Sequence, residues 1–270
     1  MRAKVTVRLG RIAQNLSALQ KNCTLRGISL AAVTKVHAAD PAVCGLIASF
    51  GVKALADSRI ENLESMAALP AEKWLLRVPA PSIAGEVVRF SDLSLNSELS
   101  TIRILNREAL KQKKLHKVAL MWDLGDLREG YYRYADIEEA AREASSMPAI
   151  QFCGIATNLN CYGGVDPSVE NMEALSEIAS RLARSGMPCP IVSGGGSSTY
   201  SLLLNGTLPN GITNLRIGDT LYLGRDRLLL KKADGMNDDC FVLTAEVVEV
   251  KDKPSVPIGH IGLAALNATP

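Results

Sequence analysis

Lys35 lies just past the apolar run Ile28–Val33. A lysine at the end of a buried strand, held between apolar walls, has a lowered pKa, and its free amine can attack a carbonyl to give an imine. Taken alone, a lysine in that place also reads as a solvated loop residue. Ser193-Gly194-Gly195-Gly196-Ser197-Ser198 follows another apolar run and opens a helical pattern. Its glycines let backbone approach a ligand closely, and its N–H and hydroxyl donors suit a phosphate; a flexible turn is the competing reading. Asn214-Leu215-Arg216-Ile217-Gly218-Asp219 comes next. In barrels the loops after the seventh and eighth strands commonly share one phosphate, so these two segments can act together.

Three more segments carry reactive or polar groups. Trp122–Gly130 contains Arg128, whose rigid fork of donors suits a carboxylate; surface pairing of Asp126 with Arg128, or of Glu129 with Arg133, is the alternative. Asn158, in Thr157–Gly164, can donate to a ring oxygen or cap a turn. His37 lies close enough to Lys35 to line the same pocket, His116 sits in a basic run and reads as exposed, and His260 falls in a Pro/Gly-rich tail. None of the three has the spacing of a triad or a metal site.

The elements that must position these groups follow from periodicity. Short apolar runs alternate with longer segments of helical spacing, which predicts a parallel sheet. Strands are expected at Ile28–Val33, Lys53–Ala56, Trp74–Val78, Leu93–Leu95, Val118–Trp122, Phe152–Ala156, Pro190–Val192 and Asn214–Ile217. Helices are expected between them at Pro41–Phe50, Ile60–Leu69, Ser82–Arg89, Ser97–Lys114, Ile137–Ser146, Ser168–Arg184 and Ser198–Leu204. Asp40 before Pro41, and Ser97 with Glu98, read as helix starts, and Gly51 and Gly186 as stops. A strand at Lys4–Arg8 and a helix at Leu9–Lys21 precede the series. Eight βα units fit an α/β fold of the (β/α)8 TIM-type barrel class, with an open doubly wound sheet as runner-up. From about Leu221 the pattern turns strand-like, above all at Phe241–Val250. The expected organisation is therefore a barrel over 1–220 and an incomplete C-terminal β segment over 221–270, a truncated start of a second domain.

Bulk properties narrow the function. Thirty Lys+Arg against 28 Asp+Glu leave a net charge of +2, too balanced to drive binding to nucleic acid or a membrane surface. The local run Lys111, Lys113, Lys114, His116, Lys117 reads as a solvated helix end. Six scattered cysteines, with no CxxC pair, point to free thiols in a reducing compartment rather than disulfides or a structural metal. Neither a signal peptide nor an apolar span is present in the reading, so a cytoplasmic protein with a small-molecule ligand is expected.

Taken together, Val33-Thr34-Lys35-Val36, Ala56–Asn62, Asp123–Gly130, Thr157–Gly164 and Asn214–Gly218 resemble the fold-type III pyridoxal-phosphate (PLP) enzymes. They are most similar to the alanine racemase-like family that includes ornithine racemases, and the resemblance runs from about Val5 to Pro257. It implies that Lys35 holds pyridoxal 5'-phosphate as an imine and acts as one proton-transfer base. It implies that Ser197, with Gly218 and Asp219, binds the phosphate, and that Arg216 faces the pyridine nitrogen. By the same resemblance Asn158 lies beside the cofactor ring, where alanine racemases usually have histidine, and Arg128 lies near the substrate carboxylate. Met121 stands where alanine racemases often carry lysine. The implied activity is racemisation of an amino acid of the ornithine, lysine or alanine class by a homodimer. Racemisation needs a base on each face of Cα. In alanine racemases the second is a tyrosine of the partner's C-terminal β domain, and no residue here is assigned to it. A non-catalytic PLP-binding or PLP-homeostasis protein is the alternative, and a barrel enzyme using the phosphate loop without PLP a third.

Overall fold

Parallel strands buried on both faces need long apolar crossovers and close most economically on themselves, and this chain takes that course. The computed structural model describes residues 2–259. Strand β1 (Lys4–Val7) and helix α1 (Leu9–Thr24) lead into β2 (Ser29–Val33), α2 (Pro41–Ser49), β3 (Ala54–Asp57), α3 (Ile60–Ser65), β4 (Glu72–Leu75), α4 (Ala84–Phe90) and β5 (Leu93–Asn96). There follow α5 (Leu99–Gln112), β6 (His116–Met121), α6 (Tyr134–Ser146), β7 (Ile150–Ala156), α7 (Val169–Arg184), β8 (Ile191–Ser193), α8 (Tyr200–Leu204), β9 (Asn214–Ile217) and α9 (Asp219–Leu223). The short strands β10 (Arg225–Asp226), β11 (Lys231–Lys232) and β12 (Phe241–Thr244) complete the order. Strands β2 to β9 form a closed barrel in sequence order, sealed by parallel pairing of β2 with β9. Closure excludes the open doubly wound sheet.

The chain divides into two compact units. The larger runs Val7–Phe241 and contains the barrel, its helices and the antiparallel pair β10–β11; the smaller comprises residues 2–6 with 242–259. Strands β1 and β12 pair as a separate two-stranded sheet.

Two apolar layers hold the barrel. The interior is packed largely by small side chains, Ala31, Ala54, Ala56, Ala119 and Ala156, around the large ring of Trp74, which is 1% exposed. The outer layer lies between strands and helices, with Ile12, Leu16 and Leu19 of α1 fully buried on one helical face. Asp40 caps α2 by accepting from Ala42 N–H at 3.0 Å and Val43 N–H at 3.1 Å, with Pro41 in the first turn. A register shift between β6 and β7 leaves Cys153 as an extra residue, and Gly154 beside it has φ of 126°. A Cβ at Gly154 would collide with the Ile191 carbonyl of β8.

Several expected boundaries move. Strand β4 ends at Leu75 rather than Val78: Leu76 N–H makes one last bond across to the Asp57 carbonyl at 2.8 Å, and the side chains of Leu76 and Arg77 line cavities at the barrel mouth. Helix α5 starts at Leu99; Ser97 does not cap it, and its buried hydroxyl has no hydrogen-bond partner. The expected strand Phe241–Val250 is ordered as β12 only to Thr244, since an extended segment without a neighbour to pair with is not a strand. The basic run is a solvated helix end only at Lys111, Lys113 and Lys114, which are exposed where α5 stops. His116 opens β6 and is 1% exposed, Lys114 donates to the Val88 and Arg89 carbonyls, and Lys117 pairs with Glu72 at 2.9 Å. Alternation, not charge, decides the outcome here, because His116 shares with Val118 and Leu120 the parity that faces the buried strand–helix layer. His260 lies outside the described residues.

Candidate active site

The site grows from the turn after β2. Residues Thr34–His37 form one turn of 3₁₀ helix, and Ala38 and Ala39 follow with φ of 50° and 55°. Buried Thr34 donates its hydroxyl to Asp57 at 2.7 Å, at the end of β3. Asp57 also accepts from Arg59 N–H and the Asn62 amide, both at 3.0 Å. One carboxylate therefore ties the Lys35 turn to the start of α3, which gives a physical reason for the Ala56–Asn62 motif. His37 does not line the cavity with Lys35: its Nδ1 accepts from Asp40 N–H at 3.0 Å and its ring packs edge-on against Tyr222 at 4.8 Å.

Lys35 itself is exposed in a cavity of about 200 Å³ at the C-terminal ends of the strands. Its surroundings are polar and cationic rather than the apolar walls expected for it. Arg128, Asn158, Ser197, Arg216, Gly218 and Asp219 line the same cavity, so all seven residues singled out in the sequence meet there. A connecting cavity of about 330 Å³ shares Lys35, Arg128, Asn158 and Arg216 and adds Arg59 and Arg77. The larger hollow of about 610 Å³ beyond Arg59 and Arg77 contains no Lys35 and only adjoins this chamber.

The loop after β8 crosses to β9 through close contacts. Ser197 Oγ accepts from Gly218 N–H at 3.3 Å and Thr220 N–H at 3.2 Å. A Cβ on Gly196 would lie 3.1 Å from the Arg216 carbonyl, tight enough to force the loop away. Thr220 N–H is a donor the sequence reading missed; it stands next to Asp219, whose carboxylate instead faces Arg227 at 3.8 Å.

Arg216 is 5% exposed, and its guanidinium is held by oxygens. It donates to Ser193 Oγ at 2.6 Å, the Thr157 carbonyl at 2.7 Å and Asn158 Oδ1 at 2.7 Å. The Ser193 hydroxyl donates in turn to Asn214 Oδ1 at 2.6 Å, and the Asn214 amide donates to Ser29. Burial pushes the Arg216 pKa down to about 10, with Glu129 pulling it up and Arg128 pushing it further down. At neutral pH the group stays charged.

Neither proposed surface pair at Arg128 forms. Arg128 Nε meets Glu129 at 2.8 Å and its Nη1 donates to Cys161 Sγ at 2.8 Å, while Arg133 pairs with Asp136. Glu129 also accepts from the Asn158 amide. Asp126 is buried and organises the loop after β7, accepting from the N–H groups of Tyr162 at 2.7 Å, Val165 at 3.0 Å and Cys161 at 3.4 Å. Burial raises its pKa, but these bonds outweigh that and hold it below the usual carboxylate range. Cys161 is the one exposed cysteine; the described residues contain no group of three side chains suited to a metal, and all six thiols are free. No described helix is long and apolar enough to cross a membrane.

Closure of the sheet defines a (β/α)8 barrel, and an amine, a hydroxyl with its amide partners and three guanidinium groups gather in one cavity at the C-terminal ends of its strands, the candidate ligand site. Residues 7–226 match the alanine racemase N-terminal domain family, and the chain belongs to that family. An ornithine racemase of Acetoanaerobium sticklandii is 40% identical over 271 residues, spanning 100% of this chain and 77% of that protein. A lysine racemase of Thermotoga maritima is 35% identical over 263 residues, 96% of this chain and 73% of its own length. Among solved structures, an alanine racemase of Clostridium difficile 630 in complex with cycloserine superposes with a TM-score of 0.75 at 15% identity. That match covers 93% of this chain and 70% of the solved one, and it shows the shared fold.

Proposed function

We propose that the protein is a PLP-dependent amino-acid racemase of the ornithine or lysine class. The observation that carries the reading is the convergence of Lys35, Arg128, Asn158, Ser197, Arg216, Gly218 and Asp219 on one cavity. The similarity to an ornithine and a lysine racemase supports the substrate class.

The donor set fits the cofactor. The Gly218 and Thr220 N–H groups converge on Ser197 Oγ, whose own proton is left to donate, and the three together are the kind of donors a phosphate takes. Lys35 Nζ is the primary amine within the same cavity. Asn158 uses its oxygen for Arg216 and one amide hydrogen for Glu129, so its second hydrogen is available to a ring oxygen. Arg216, charged and already bonded to three oxygens, would meet the pyridine nitrogen as a donor that cannot give up its proton. When bound, PLP supplies an electron sink for the pair left at Cα on loss of its proton. A ring nitrogen left unprotonated weakens that sink, which favours return of a proton to Cα over side reactions. Lys35 Nζ moves the proton on one face of Cα, and Arg128, with Nε on Glu129 and Nη1 on Cys161, orients the substrate carboxylate through Nη2. The reading includes a homodimer whose partner completes the opposite face.

Chirality-resolved analysis of products from L-ornithine, L-lysine, L-alanine and L-serine tests the proposal. The expected result is inversion of a basic amino acid by the wild type with added PLP, and no inversion by Lys35→Ala. A visible absorption band that forms with PLP and disappears on borohydride treatment is expected only where the lysine is present. A band without turnover would favour a PLP-binding protein instead, and absence of both would overturn the PLP reading.

A further inference from the structure

The mouth of the barrel concentrates positive charge. Lys35, Arg128, Arg216 and Arg227 all line one cavity, and the connecting chamber adds Arg59 and Arg77. Like charges at these separations repel, and each guanidinium would turn toward water unless something fixed it. Asp219 faces Arg227 at the far side. The two arginines nearest the proposed chemistry share a different anion.

That anion is Glu129, whose side chain is only 17% exposed behind the cavity wall. Its two oxygens do two jobs. One meets Arg128 Nε at 2.8 Å, and the other accepts from the Asn158 amide. Asn158 in turn accepts from Arg216 Nη2 at 2.7 Å through its own oxygen. An amide so placed has no freedom to flip, since its donor end faces a carboxylate and its acceptor end a guanidinium. A single carboxylate thus holds Arg128 directly and Arg216 through one amide.

We propose that Glu129 is a positioning residue for the reaction: it grips Arg128 by Nε while Cys161 takes Nη1, leaving Nη2 for the substrate carboxylate, and it fixes the Asn158–Arg216 pair that would lie beside the cofactor ring. The inference rests on the racemase reading for its kinetic consequence, but the grip on Arg128 is a property of the chain alone. Arginine at a site of this kind needs an orienting partner, because a freely rotating fork spends its bidentate geometry among many rotamers. Glu129 lies next to Arg128 in sequence, and the loop after β7 brings Asn158 to its other oxygen.

Two measurements separate the inference from the reading beneath it. In ligand-free protein labelled with ¹⁵N-arginine, with Arg128→Lys used for assignment, the Arg128 Nε–H is expected to exchange slowly with solvent. Glu129→Gln, which removes the charge and keeps the shape, should speed that exchange by about tenfold or more. In the PLP-loaded enzyme the same substitution should raise KM for the basic substrate by about tenfold or more, with a smaller fall in kcat, and shift the cofactor absorption maximum. Glu129→Asp should fall between wild type and Glu129→Gln in both readouts, which a merely structural residue would not produce. If Glu129→Gln fails to fold by thermal melting, the aspartate variant carries the same comparison. Unchanged Nε–H exchange together with KM within twofold of wild type would overturn the proposal. Wild-type protein that racemises nothing would sink the racemase reading, while the exchange rates would still decide whether Glu129 holds Arg128.

Discussion

Burial lowers the pKa of both Arg216, to about 10, and His116, to about 4, with opposite consequences near neutral pH. Arg216 keeps its charge because protein oxygens replace its water. His116 stays neutral, its Nε2 paired with Ser94 Oγ at 2.9 Å, because burial opposes the imidazolium and nearby Lys114 adds to that, while a bond to the Ser91 backbone only partly offsets them. The folded pKa of His116 lies below its unfolded value near 6.5, so the unfolded chain takes up the proton first as pH falls. Stability is therefore unaffected by His116 above pH 6.5 and declines between there and about pH 4, by about 3 kcal/mol at most. His116→Gln is expected to flatten this acid limb, whatever it does to stability at neutral pH. Urea melts of both proteins across that range check it: parallel slopes would show that His116 is not the group responsible.

The strands were the most legible elements because parallel strands buried on both faces read as apolar runs, and β3 and β5 are buried at every position. Their ends were less so. Nothing local says that β4 stops at Leu75, or that the Ser97 hydroxyl is buried where it finds no partner. The site was legible where one residue carries its own signal, as Lys35 after a strand or the triple glycine before Ser197. Glu129 carries no such signal and is legible in the sequence only as one half of an alternative surface pair with Arg133, since its actual neighbour Asn158 is brought to it by the pairing of β6 with β7. His116 was misjudged for a similar reason: a lysine-rich neighbourhood in sequence is an interior strand in space. At this scale the β6–β7 irregularity gives the sharpest prediction. Gly154→Ala would drive a methyl into the Ile191 carbonyl at a φ that other residues rarely adopt. A loss exceeding about 3 kcal/mol is expected in urea denaturation, whereas Gly10→Ala, with open space around it, should change stability by well under 1 kcal/mol.

For the molecule as a whole, the cavity is assembled from the ends of β2, β6, β7, β8 and β9, so a ligand bound there holds together strands from both ends of the barrel sequence. PLP at a hundredfold excess over its dissociation constant should stabilise the fold by about 2.7 kcal/mol, raising Tm by roughly 5–10 °C. Lys35→Ala should retain only the smaller part of that rise due to the phosphate contacts. Differential scanning calorimetry with and without PLP measures both, and equal shifts for the two proteins would argue against covalent capture by Lys35.

Trp74, sealed inside the barrel among alanines, has an optical consequence. The chain has two tryptophans, and the other, Trp122, is 9% exposed at the end of β6. Both indoles are thus shielded from water, so their ultraviolet emission should be blue and bright in the empty barrel. A chromophore seated at Lys35 would drain that light by resonance transfer. The protein carries its own lamp, and its dimming counts filled sites without any added label.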